Sequence, residues 1–149
     1  MEKTKTVLWI GIVFLFVFCA GCSRDSSDAG AVKKTVEGYL EALASHDTEE
    51  MKHFLSADLQ VDVSDEEYYT AFVETVVSCE SVEVDTEHME KLNDTAVEVP
   101  VSYVLTYSED YIPVGTREAG ENAIEQIFAL DKNKAGDYLI TEIRNAVQE

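Results

Sequence analysis

From Val97 to Tyr107 the chain alternates without a slip: Val97, Val99, Val101, Tyr103, Leu105 and Tyr107 share one parity, and Glu98, Ser102 and Thr106 share the other. Successive side chains of a β-strand point to opposite faces, so this pattern demands a strand with one face on an apolar core and the other in water. An antiparallel sheet covered on one side is the architecture that uses such a strand. Pro100 falls in the outward set. Proline has no N–H to give to a ladder, so an edge position or a bulge is expected there.

The same period recurs around it. Val82 and Val84 alternate with Glu83 and Asp85, and that strand is expected to run on to His88. Residues 91–94 read as a turn, 108–115 as a loop and 131–136 as a second turn, with a strand carrying Ile124, Phe128 and Leu130 between the last two. Tyr138 and Ile140 open a final strand that ends near Asn145. Ahead of the strands the period is helical. Val32, Val36, Tyr39, Leu40 and Leu43 form one stripe over residues 31–44, with Lys33, Lys34, Glu37 and Glu41 on the other side. Asp47 with Glu50 is a capping-box pattern opening a short second helix that buries Met51, Phe54 and Leu55. Ser64 with Glu67 is a second such pattern and predicts a third helix over residues 65–77, with Tyr68, Tyr69, Phe72, Val73, Val76 and Val77 on its apolar face. Helices first and strands afterwards give an α+β fold: about three helices packed on a curved antiparallel sheet of about four strands.

The N-terminus predicts an address. Lys3 and Lys5 precede an apolar run from Val7 to Ala20, which is short for a membrane span. Ala20 and Gly21 then lead into Cys22. This resembles the bacterial lipobox, where a lipoprotein signal peptidase cleaves before a cysteine that carries a diacylglyceryl thioether; Cys19 stands where that pattern prefers leucine. The resemblance implies a signal peptide at 1–21, lipidation of Cys22, a polar tether over 22–30 and a domain from 31 to 149, held on the outer face of the bacterial plasma membrane by its lipid. Stretched out, residues 23–30 reach at most about 26 Å. An ordinary signal cut after Gly21 and an uncleaved anchor are the alternatives.

Charge and cysteine content narrow the function classes. The chain carries 30 acidic and 11 basic residues, a formal net charge of −19. Such a surface repels nucleic acid and anionic lipid headgroups, so neither is expected as a direct partner. With Cys19 removed and Cys22 lipidated, Cys79 is left without a disulfide partner and is expected to be a small buried hydrophobe.

A second resemblance rests on three stretches. The first helix with its corner Ser45-His46-Asp47, the valine-rich strand, and the ending Gly136-Asp137-Tyr138-Leu139-Ile140-Thr141-Glu142-Ile143 are similar to the nuclear-transport-factor-2-like superfamily, and in particular to its small bacterial lipoproteins. Tyr138 stands where that superfamily usually has tryptophan. The likeness covers residues 31–146 and implies a cone with an interior cavity. Some relatives are isomerases or dehydratases with an aspartate or histidine in that cavity; His88, on the parity of Val82 and Val84, is the one residue that an unbroken strand would turn inward.

Two other constellations bear on chemistry. Tyr68, Tyr69, Phe72, Tyr103, Tyr107, Phe128 and Tyr138, together with Tyr39, are expected to converge between helices and sheet as core or as a ring-lined pocket. Asp131, Asn133, Gly136 and Glu142 match positions one, three, six and twelve of a calcium loop. Ala135 at position five and the flanking Lys132 and Lys134 favour a hairpin turn instead. Nucleophile-elbow, zincin and phosphate-loop motifs are absent from the sequence. The reading is a membrane-anchored, non-catalytic module that binds a small molecule or an envelope protein and needs no cofactor. A small pocket enzyme and a calcium-stabilised module are the alternatives.

Overall fold

The computed structural model describes residues 24–146. Helix α1 spans Arg24–Ala44 and is followed by three short helices: α2 (Thr48–His53), α3 (Ala57–Val63) and α4 (Glu66–Tyr68). A single π-helical turn, Tyr69–Val73, continues α4, closed by the Glu74 N–H donating to Tyr69 O at 2.9 Å. Strands β1 (Val76–Val84), β2 (Glu90–Lys91), β3 (Ala96–Tyr107), β4 (Gly120–Lys132) and β5 (Tyr138–Asn145) form one antiparallel sheet in the order β1-β3-β4-β5. Among the described residues no helix is long and apolar enough to cross a membrane.

β3 keeps the alternation its sequence demands, every second residue being buried from Val97 to Tyr107. Its inner face packs with Ile124, Phe128 and Leu130 of β4 and Tyr138 and Ile140 of β5. α1 closes that face with Val32, Val36, Tyr39, Leu40 and Leu43. Removing these side chains from water is what drives the two layers together.

β4 pairs with β3 over the full length of β3, so β1 and β2 both lie along the opposite edge of β3. β1 stops at Val84, opposite Val101, and β2 begins at Glu90, opposite Glu98. Pro100 faces the gap between them. Its carbonyl accepts from the Asp85 N–H at 2.9 Å, and in an extended strand the missing N–H points the same way. The proline is therefore tolerated inside a central strand. The other exposed edge, that of β5, is partly covered: the Ser56 N–H donates to Ile140 O and the Ile140 N–H to Phe54 O, each at 2.8 Å. These bonds make Leu55 a one-residue parallel bridge to β5.

Three expectations are corrected, and one helix is added. Residues 24–30, read as part of the tether, are the first turns of α1. They are tied down because the Asp28 carboxylate receives the Lys132 ammonium at 2.9 Å and that of Lys91 at 3.4 Å. Cys22 and residues 1–21 lie outside the described residues.

The helix expected over 65–77 is only the short α4 with its π-helical turn. Asp65, not Ser64, is its N-cap, accepting from the Tyr68 N–H. Val76 and Val77 belong to β1 instead. Phe72, Val73, Val76 and Val77 fit a helical stripe by spacing, but their β-branched members fit a strand as well.

α3 was not expected, because only Leu59 and Val63 of it turn toward the core. Gln60 secures it, donating to the carbonyls of Lys52 and Leu55 at 3.0 Å each.

Finally, β1 does not reach His88. Register shifts between Val76 and Ser78 and between Glu80 and Glu83, with Ser81 at φ 55°, bend it. A 3₁₀ turn over Thr86–His88 then ends its run, capped by Asp85.

Candidate functional site

Between α1, α4 and the inner sheet face lies a cavity of about 250 Å³. Tyr39 and Leu43 come from α1, Tyr68 from α4, Phe72 from the π-helical turn and Val76 from the start of β1. Tyr103, Leu105 and Tyr107 reach in from β3, Gln126 from β4 and Ile143 from β5, and Arg117 closes the cavity from the loop between β3 and β4. The π-helical turn matters locally: it accommodates one extra residue per turn just before the chain becomes a strand, where Phe72 meets the cavity.

The polar tips are satisfied internally. Tyr103 Oη donates to Gln126 Oε1 at 2.6 Å, and Gln126 Nε2 donates to Asn145 Oδ1 at 3.3 Å. The Tyr39 and Tyr68 phenols are neighbours across the cavity. Arg117 Nη1 donates to Tyr107 Oη at 3.0 Å, and the Tyr107 ring stacks on Tyr111 with centroids 3.9 Å apart. Burial raises the phenols of Tyr39, Tyr68, Tyr103 and Tyr107 above their ordinary range, that of Tyr39 most markedly with neighbouring phenols adding to the effect. All four stay protonated at neutral pH and act as hydrogen-bonding groups, not as bases. At Arg117 burial opposes the charge and the Tyr107 phenol favours it, and the guanidinium stays charged.

Of the aromatic residues named from the sequence, the cavity brings together Tyr39, Tyr68, Phe72, Tyr103 and Tyr107. Tyr69 is half-buried in the π-helical turn but does not line it. Phe128 is fully buried in the core, edge-on to Tyr39 with centroids 6.2 Å apart. Tyr138 is buried at the β4–β5 hairpin, with the Lys132 ammonium 5.0 Å from its ring centre. Arg117 and Gln126 went unread. Gln126 had a signal, since it shares the parity of Ile124 and Phe128 and is therefore a polar residue at an inward position. Arg117 had none, because its loop has no period to assign it a direction.

The other candidates sit elsewhere. His88 is exposed and its Nδ1 lies 2.7 Å from Asp85 Oδ2, so it faces solvent and not the cavity. The calcium-loop reading is overturned: Asp131 and Glu142 lie on paired strands, opposite Leu139 and Ala129, and the flanks are not helices. Asn133 Oδ1 accepts from the N–H groups of Ala135 and Asp137, which builds a hairpin turn with Gly136 at φ 90°. Among the described residues no cluster of histidine, cysteine and carboxylate side chains could hold a metal. The Cys79 thiol is half-buried and pushed up to about 11, which keeps it an unreactive thiol at neutral pH.

Arg117 also lines an outer groove of about 620 Å³ with Asn122, Glu125 and Asn145. It therefore stands at the boundary between inner cavity and surface. A wider groove of about 880 Å³ has Asp65, Glu66, Glu67, Glu74 and Asp110 in its lining and none of the cavity phenols.

No protein-family profile matches the chain, and no curated protein matches it. Solved structures do. An NTF2-like protein of unknown function from Shewanella oneidensis superimposes with a TM-score of 0.54 at 10% identity, over 78% of this chain and 96% of that one. A protein from Xanthomonas campestris, provisionally assigned as a polyketide cyclase, superimposes with a TM-score of 0.50 at 15% identity, over 81% of this chain and 93% of that one. These likenesses show the fold: helices on a curved antiparallel sheet, as in NTF2-like cones.

Proposed function

We propose that this protein is a lipid-anchored, extracytoplasmic module that binds a small molecule in its tyrosine-lined cavity without transforming it. The observation that carries the reading is the composition of that cavity. Among the described residues its lining holds apolar side chains, four phenols, one amide and one guanidinium, and no carboxylate or imidazole. A concave, mostly apolar space with a few fixed polar tips is the usual form of a small-molecule site. Isomerisation or dehydration needs a group that takes up a proton near neutral pH. The buried phenols are poor candidates for that work, because burial makes each a weaker acid and leaves its anion inaccessible at neutral pH. A pocket enzyme of the isomerase or dehydratase type would have to import its base from outside the cavity.

Lipidation of Cys22 supplies the location in this reading. Only residue 23 separates Cys22 from the first residue of α1, and such a link spans less than about 10 Å. A lipid on Cys22 would hold the domain close to the outer face of the plasma membrane. The acidic surface then suits a position just off the bilayer and not on its anionic headgroups.

Native mass spectrometry of the full chain, extracted from its own host, tests both halves. Binding predicts a non-protein mass that survives gentle desolvation and is lost on unfolding. Anchoring predicts a diacylglyceryl increment on an N-terminal Cys22. A chain that carries neither a retained molecule nor a modified cysteine contradicts the proposal.

A further inference from the structure

We infer that the cavity takes a small planar carboxylic acid, an aromatic acid by class, whose carboxylate pairs with Arg117. The inference rests on the reading of the cavity as a binding site and names the ligand class. Three observations carry it.

The first is a guanidinium that has no carboxylate partner among the described residues. Among residues whose side chains are described, the other half-buried basic residues each have a carboxylate close by: Lys52 has Glu49 at 2.6 Å, Lys132 has Asp28 at 2.9 Å and Arg144 has Glu98 at 2.7 Å. Arg117 is half-buried too, and its hydrogen-bond partner is the neutral phenol of Tyr107. In a chain with 30 acidic residues this is an exception. Glu125 lines the same outer groove but makes no ion pair with Arg117. A half-buried guanidinium with no carboxylate beside it among the described residues leaves donors for an anion arriving from outside.

The second is the shape and lining of the space behind it. Five rings, those of Tyr39, Tyr68, Phe72, Tyr103 and Tyr107, bound 250 Å³. That is just below the range of about 300–1,000 Å³ for drug-sized ligands, and it equals roughly eight water molecules' share of liquid volume. Ring faces and edges favour a flat aromatic body over a branched aliphatic one.

The third is charge number. One guanidinium presents a planar fork that matches one carboxylate with two parallel hydrogen bonds. The net charge of −19 opposes a multiply charged guest such as a phosphate dianion more strongly than a singly charged carboxylate. The Tyr107 hydroxyl, already held 3.0 Å from Arg117 Nη1, is placed to give the same carboxylate a further hydrogen bond once the guanidinium turns to it.

The experiment titrates the full chain, reconstituted in lipid nanodiscs, with benzoate and phenylacetate and with their neutral amides, by calorimetry and by tyrosine-ring NMR shifts. The acids are expected to bind at least about tenfold more tightly than the amides, the size of one charge-assisted hydrogen bond, with shifts at Tyr103 and Tyr107. Arg117→Gln is expected to erase that preference, and Arg117→Lys to restore part of it. The acid–amide comparison on the unsubstituted protein needs no variant, so a folding defect cannot obscure it. Equal affinity for acids and amides, failure of every acid to bind at millimolar concentration, or an undiminished preference in Arg117→Gln overturns the inference. If the acids fail while a neutral molecule is retained from the host, the carboxylate inference falls and the binding reading stands. If no probe binds and nothing is retained, both fall.

Discussion

Gly38 lies on α1 where the Phe54 ring crosses it. A Cβ at this position would stand 2.5 Å from Phe54 Cζ and 2.7 Å from Cε1, inside any normal contact. Two effects then oppose each other in Gly38→Ala. Replacing glycine by alanine within a helix gains about 1 kcal/mol. Forcing a methyl group into a packed contact costs about 1–3 kcal/mol. Phe54 is half-buried and packs against the core, so its ring has limited room to retreat. The net expectation is a loss of about 1 kcal/mol, which lowers the thermal midpoint by roughly 4 °C in a domain of this size. The sign should reverse in a Phe54→Ala background. There the clash is gone, and Gly38→Ala should stabilise by about 1 kcal/mol. Urea unfolding of the four proteins of this cycle, followed by circular dichroism, should give a coupling of about 2 kcal/mol with little change in m. If Gly38→Ala stabilises both backgrounds by the same amount, the ring does not rest on Gly38, and the packing of α2 on α1 described above is wrong.

Tyr103→Phe removes the donor to buried Gln126 and should cost about 1–2 kcal/mol in the same assay; adding Gln126→Leu should recover most of it, since both partners are then apolar. Gly136→Ala forces a non-glycine residue to φ 90° with no new contact, so it should cost about 1–2 kcal/mol of purely conformational origin. Because burial raises the phenols of Tyr39, Tyr68, Tyr103 and Tyr107 in the folded state, the unfolded chain loses those protons first. Stability should be intact below about pH 10 and fall as the pH rises beyond it, with tyrosinate absorbance appearing together with unfolding. Asp28 and Glu98 are shifted the other way by the hydrogen bonds of Lys132 and Arg144, so their contribution should be present at neutral pH and disappear as the pH falls below about 4.

The sheet was legible because its inner face is written at a period of two. β3 and β5 could be placed closely because Val97–Tyr107 and Tyr138–Asn145 carry β-branched and aromatic residues between clear turn signals. The helical layer was less legible for two physical reasons. The stretch from Phe72 to Val77 satisfies helix and strand patterns at once, and only pairing with β3 decides between them. The polar stretch before Gly30 looks like linker until Asp28 meets Lys91 and Lys132, which are distant in sequence. The five cavity rings were visible as aromatic residues on apolar faces. Arg117 was not, since the direction of a loop side chain is set by the elements it folds over and not by its neighbours in the chain. His88 shows the converse: its inward direction followed from parity, but the bulges of β1 broke the register before it was reached.

The central claim is that the space among Tyr39, Tyr68, Tyr103 and Arg117 is a ligand site. A crystal structure of the full chain purified from its own host, with whatever it retains, tests it most directly. Continuous non-protein density in contact with those rings and with the Arg117 guanidinium is the expected result. A cavity holding only water, with any retained molecule bound elsewhere, would contradict it.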